Sequence, residues 1–159
     1  MVQLTVITVG TLKEGYLREA LAEYKKRLSG MAKVTEVELR EERIVNEDNS
    51  AEVASALCKE GERMLGAIPE GAYTVALCVE GREMDSEGLA RALGEAASRT
   101  GKLAFLIGSS HGLSPEVKKR ADLSLSVGRL TFPHQLMRVI LYEVLYRSFS
   151  ILAGKRYHK

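Results

Sequence analysis

Leu103-Ala104-Phe105-Leu106-Ile107 runs into Gly108-Ser109-Ser110-His111-Gly112, and Leu123-Ser124-Leu125-Ser126-Val127 runs into Gly128-Arg129-Leu130-Thr131-Phe132-Pro133. Each is a short apolar run that ends in a glycine-bearing loop and is followed by a helical pattern. Leu103 to Ile107, with no polar alternation, reads as a strand covered on both faces, as in a parallel sheet; Leu123 to Val127, with a serine at every second position, is a second apolar segment. Open α/β sheets hold their ligands beyond the carboxyl ends of such strands. The two loops are therefore the first place to look for a site, although two glycines alone also serve a tight strand-to-helix turn.

The flanking chain supports the same architecture. Gln3 to Val9 is β-branched and apolar, and Gly10 ends it; Tyr73 to Val79 is a further continuous apolar strand. Lys33 to Leu39 alternates and reads as an edge strand. Leu12 to Leu28 has helical spacing. Glu41 to Asn49 is polar and reads as a mobile loop, with Ser50 as the N-cap of a helix through Gly66. Asp85 or Ser86 caps a helix that Gly101 stops, and Ser114-Pro115-Glu116 has the cap, first-turn proline and first-turn acid of another helix start. Strands alternating with helices predict an α/β fold with a mainly parallel sheet of about five strands and helices on both faces. At 159 residues the chain reads as a single domain, 1–159.

Composition narrows the function. A net charge of +2 is far below that of a dedicated DNA-binding module, so DNA is not an expected partner. There is no run of eighteen apolar residues to span a membrane, and the start lacks the features of a signal peptide. Cys58 and Cys78 fall in a helical and a strand pattern without CxxC spacing, which reads as cytoplasmic, structural thiols and offers no metal site. The dinucleotide and P-loop fingerprints are both absent.

The last helical pattern is unusual. Met137, Ile140, Leu141, Val144, Leu145 and Leu152 project on one wide face, and Val139, Tyr142, Tyr146 and Phe149 on a second. His134 and Arg138 share one polar seam between them, and Glu143, Arg147 and Ser150 the other. A helix apolar on two sides is central in a large core or covered by a partner, so a homodimer built on it is expected. Glu143 and Arg147 have the favourable i, i+4 order for an ion pair. The final residues, Gly154 to Lys159, are basic and aromatic, suited to contacting phosphate and stacking on a base, though basic tails are also common as solvated termini.

The combination Phe105-Leu106-Ile107-Gly108 with Gly112-Leu113, then Leu130-Thr131-Phe132-Pro133-His134-Gln135-Leu136-Met137-Arg138-Val139, then Glu143 with Tyr146-Arg147, then Tyr157-His158-Lys159 resembles the RlmH family. These are small SPOUT-class methyltransferases that act on a pseudouridine of large-subunit ribosomal RNA. Thr8-Val9-Gly10 and the helix Tyr16 to Leu28 match as well, so the resemblance covers essentially the whole chain. It implies a SPOUT-type C-terminal trefoil knot, a homodimer and S-adenosylmethionine as methyl donor, with no metal. Carried over by position, the donor site is Leu77, Gly108 and the segment Val127, Gly128, Arg129, Leu130, Thr131 and Phe132. The implied catalytic set is Glu143, Arg147, Tyr157 and His158. His158 or Glu143 would be the base for N3 of the pseudouridine, Arg147 would orient it or stabilise the oxyanion, and Tyr157 would position the nucleobase. His134 and Arg138 are structural or RNA-contacting in this scheme, and His111 belongs to the loop or rim. The modest charge suits a preassembled ribosome surface better than free RNA. One departure stands out: relatives usually have a second glycine where this chain has Ser109, whose Cβ would carry a cost at positive φ. Alternatives are a SPOUT enzyme acting on transfer RNA or another RNA site, or a non-catalytic ribosome-binding protein of the same fold.

Overall fold

Five parallel strands frame the computed structural model, which describes residues 1–157. β1 (Val2–Val9), β2 (Ala32–Leu39), β3 (Tyr73–Glu83), β4 (Lys102–Ile107) and β5 (Leu123–Ser126) lie in the order β2-β1-β4-β3-β5. Side-chain alternation divides them between two cores. Leu4, Val6, Val75, Leu77, Leu103, Phe105, Ile107 and Leu125 face one core, shared with α1 (Gly15–Leu28), α3 (Ser86–Thr100) and α5 (His134–Leu152). Ile7, Val9, Ala76 and Leu106 face the other, shared with Met64 of α2 (Ser50–Ala67) and Val117 of α4 (Pro115–Arg120). That double burial is why the inner strands read as unbroken apolar runs. β2, at the sheet edge, keeps alternate residues outside, as its sequence indicates.

Helix boundaries follow local chemistry, with some corrections. Asn49, not Ser50, is the N-cap of α2: its Oδ1 accepts from the Ala51 and Glu52 amides at 3.1 and 3.2 Å. α1 starts at Gly15 rather than Leu12, because Leu12 is buried and Arg18 donates to the Leu12 and Lys13 carbonyls at 3.2 and 2.7 Å, holding the preceding loop. The 41–49 segment, expected to be mobile, is tied down by carboxylates. Glu60 accepts from the Glu42 amide at 2.9 Å, and Glu52 from those of Val45 and Asn46 at 2.6 and 3.2 Å. Asp85 caps α3 by accepting from Gly88 at 2.6 Å, Gly101 closes it in a left-handed conformation, and Ser114 caps α4.

β3 continues past Val79, where the sequence pattern ends it. Leu77 and Arg82 are both registered against Leu125 of β5, so residues 78–81 loop out of the ladder. A Cβ on Gly81 would lie 2.8 Å from the backbone of Ser124 and Leu125; glycine lets the strand rejoin its neighbour there.

Candidate active site

The loop after β4 closes on itself. The Gly112 amide donates to the Ser109 carbonyl at 2.9 Å, and a Cβ on Gly108 would sit 2.1 Å from the Gly112 oxygen. Gly108 is thus required by the turn's own backbone. The positive φ, 85°, falls on Gly112, and Ser109 does not share it. Ser109 is buried in this turn without backbone strain, so its departure from a second glycine carries no conformational cost. After β5, Gly128 takes φ 146°, and Ser126 fixes the bend by donating to the Gly128 carbonyl at 2.9 Å and accepting from its amide at 3.2 Å.

These loops enclose a cavity of about 320 Å3 at the carboxyl ends of β3, β4 and β5. Leu77, Gly108, Val127, Gly128, Leu130, Thr131 and Phe132 all line it; Arg129 is exposed and does not. The loop-out of β3 supplies a wall that sequence reading missed, Cys78, Val79 and Glu80, with Lys118 of α4 paired to Glu80. Lys118 holds the Glu80 carboxyl below its usual range, whereas burial pushes the Cys78 thiol up, away from the reactive thiolate. His111 lies on the same wall, its Nε2 3.6 Å from Glu47.

α5 begins beside this cavity, with His134 and Met137 on its lining. Among the described residues no side chain caps α5, and its first turn carries no acid, so its leading N–H groups keep their affinity for an anion. Arg138, placed with His134 on a polar seam and read as structural or RNA-contacting, is buried. It is 4% exposed and turns away to the β1–β2 end, donating to Glu38 at 2.8 Å and to the carbonyls of Val9 and Gly10. It is a structural tie.

Farther along α5, three of the four predicted catalytic residues meet. Arg147 donates from Nη2 and Nε to the Glu143 carboxylate at 2.9 and 3.2 Å, and the Tyr157 hydroxyl donates to its two oxygens at 2.9 and 3.2 Å. The Tyr157 ring stands edge-on to Tyr146 at 4.6 Å, with the Arg147 guanidinium 4.8 Å from its centre. His158 lies outside the described residues. α1 adds two groups that no local pattern singles out. Tyr24 approaches Tyr146 at 6.4 Å, and the Arg27 guanidinium lies 5.5 and 5.9 Å from those two rings. The neighbouring Glu143 carboxylate is the chief cause that pushes the Tyr24 hydroxyl up to about 12, with burial adding to it. Tyr157 is also raised, mainly by burial and then by the same carboxylate, so both phenols stay protonated donors at neutral pH. Among the described residues no group of three or more His, Cys, Asp or Glu is arranged around a metal.

A parallel α/β sheet with a cavity beyond its carboxyl ends and a carboxylate–guanidinium–phenol cluster on the adjacent helix has the layout of a group-transfer enzyme rather than a nucleotide-phosphate binder. The family model described as "Predicted SPOUT methyltransferase" matches residues 2–158, and the chain belongs to that family. It is 45% identical over 156 residues to the "Ribosomal RNA large subunit methyltransferase H" of Caldicellulosiruptor saccharolyticus, covering 98% of this chain and 99% of that one. It is 46% identical over 158 residues to the protein so named in Streptococcus thermophilus, covering 99% of each. Among solved structures, a probable methylase family protein from Haemophilus influenzae superposes with a TM-score of 0.56 at 15% identity, covering 98% of this chain and 70% of that one. A probable methyltransferase from Bordetella pertussis gives 0.55 at 14%, covering 92% and 95%; at these identities the likeness is one of fold.

Proposed function

We propose that this methyltransferase uses S-adenosylmethionine to methylate N3 of a pseudouridine in large-subunit (23S) ribosomal RNA, on the assembled ribosome and in the cytoplasm. The names of the relatives supply the substrate class. The observation that carries the reading is the cavity beyond β3, β4 and β5 flanked, across Val127, by the Glu143–Arg147 pair. Among the described residues no helix is long and apolar enough to cross a membrane.

The cavity fits the donor. Its volume is near the lower end of ligand sites, roughly 300–1,000 Å3. Leu77, Leu125 and Phe132 offer apolar walls for a purine ring, and the bent backbone from Val127 to Phe132 offers amides and carbonyls for its edge. The uncapped start of α5 suits a carboxylate. The knot implied by family resemblance would fold these loops into one unit, and the half-exposed apolar row of α5 (Leu136, Val139, Ile140 and Val144) would be covered by a second copy.

When bound, the donor supplies an electrophilic methyl carbon, which the N3 lone pair attacks while the C–S pair stays on sulfur to leave a thioether. Glu143 or His158 takes the N3 proton and releases it to solvent, a contribution of about two to four powers of ten. Arg147 holds Glu143 in register and lies where it can stabilise negative charge spreading onto the base carbonyls. Tyr157 donates to Glu143 and fixes its orientation, and Tyr157 leaves that contact to pack on the nucleobase. Alignment of N3 with the methyl carbon supplies much of the rest.

Labelled S-adenosylmethionine incubated with ribosomes, followed by mapping of the labelled nucleoside, tests the whole reading. Label is expected in 3-methylpseudouridine of the large subunit. Label in transfer RNA would overturn the substrate, and equal transfer to naked ribosomal RNA would overturn the assembled ribosome. Truncation after Arg156 is expected to leave donor binding intact and reduce methyl transfer at least 100-fold; unchanged turnover would remove the tail from the site.

A further inference from the structure

Ser148 is 1% exposed, and its hydroxyl has no hydrogen-bond partner among the described residues. A serine inside a helix ordinarily turns back to the carbonyl four residues earlier. Ser98 does so in α3, donating to Gly94 at 3.0 Å. Ser148 instead lines a cavity of about 210 Å3 that lies across Val127 from the donor cavity, with Leu125 and Val127 common to both. Buried polar groups are almost always paired, so an unpaired one facing a cavity marks a place for a ligand atom.

The other walls define that ligand. Leu89, Leu125, Val127 and Val144 are apolar; Glu143 and Arg147 supply a hydrogen-bond acceptor and a fork of donors; Ser86, the first residue of α3, lies at the rim. An apolar slot lined by one acceptor and two donor side chains carries the groups that a pyrimidine imide edge, C=O, N–H, C=O, requires. Its volume falls below that of ordinary cofactor sites, roughly 300 Å3 upward, and suits a single ring.

Building on the function proposed above, we propose that this cavity is the subsite for the target base. Its imide N–H faces Glu143, one carbonyl accepts from Arg147 and the other from Ser148. Val127 is the partition over which N3 meets the methyl group. Ser150 is a contrast within the same helix: its hydroxyl is equally buried and unpaired, but it does not line this cavity.

Methyl transfer to ribosomes, read as kcat and KM, is measured beside calorimetric donor binding for Ser148→Ala, Ser148→Thr, Ser148→Val, Ser86→Phe and Ser150→Ala. Ser148→Val and Ser86→Phe, which fill the slot, are expected to lower kcat at least 100-fold with donor affinity unchanged. Ser148→Ala is expected to lower kcat about fivefold, Ser148→Thr to restore it, and Ser150→Ala to match the wild type. Wild-type turnover in both filling variants would overturn the subsite, as would parallel loss of donor binding. Should the Ser148 variants fail to fold, Ser86→Phe, at the half-buried rim, decides alone. If the wild-type chain itself transfers no methyl to ribosomes, the substrate reading falls and the subsite with it. That outcome is distinct from a loss confined to the filling variants.

Discussion

Gly108 is held in place by a contact that its position in the sequence does not show. Its place after an apolar strand marked it as a position where backbone approaches a ligand, whereas the contact the fold imposes is with the Gly112 carbonyl, 2.1 Å from where a Cβ would stand. Gly108→Ala must open the turn that shapes the donor cavity. A loss of about 1–3 kcal/mol of stability, the usual cost of overpacking, and at least tenfold weaker donor binding are expected, checked by denaturant titration and calorimetry. Ser109 is the converse: an unexpected side chain that its negative-φ site accepts. Tyr24 and Arg27 were invisible at this scale, since nothing local to them distinguishes a core stripe and a surface cation from neighbours of the Tyr146 ring beside Glu143. Their role depends on a helix more than a hundred residues away in sequence.

Along α5 the i, i+4 spacing of Glu143 and Arg147 was sufficient to anticipate their pairing, because helix geometry alone sets it. Spacing put Arg138 on a polar seam but could not show its partners, since the helical projection does not reveal that the ends of β1 and β2 present two carbonyls and Glu38 to that side. Tyr142 shares this environment: fully buried, its hydroxyl donates to Glu36 at 2.7 Å, and burial, then the carboxylate, raises its pKa well above the ordinary 10.0. A pKa raised on folding contributes stability that is complete below pH 10 and is lost as pH climbs toward the folded value. Tyr142→Phe should therefore cost about 1 kcal/mol at pH 8 through the lost hydrogen bond. Above pH 10 the wild type should lose up to about 1.4 kcal/mol per pH unit more than the variant, so the two stability curves converge. Urea unfolding at pH 8, 10 and 11 measures both.

For the molecule as a whole, alternation of strands and helices fixed the class of fold, and the unbroken apolar runs marked which strands lie inside. The order β2-β1-β4-β3-β5 was not readable, because each strand's apolar surface fits more than one neighbour and crossovers leave no local mark. The two apolar faces of α5 were foreseen, and α1 and α3 cover the part carrying Leu141, Tyr142, Leu145 and Phe149. What stays half-exposed is the row through Val139, Ile140 and Val144. If a second copy covers it, Ile140→Asp places a charge in an apolar contact. Dimer dissociation should then strengthen at least 100-fold, about 2.7 kcal/mol, with methyl transfer lost while the monomer stays folded. Sedimentation and circular dichroism would show this; an unchanged association state would place the interface elsewhere.

The loop-out of β3 has a kinetic consequence as well as a spatial one. Residues 78–81 leave the β5 ladder between two points registered on the same Leu125, so these four residues lie outside the β3–β5 pairing. Segments with few ladder bonds open at low free-energy cost, long before the sheet itself unfolds. Because Cys78, Val79 and Glu80 are also cavity wall, any such opening would widen the cavity on that side while the glycine turn and the start of α5 stay in place.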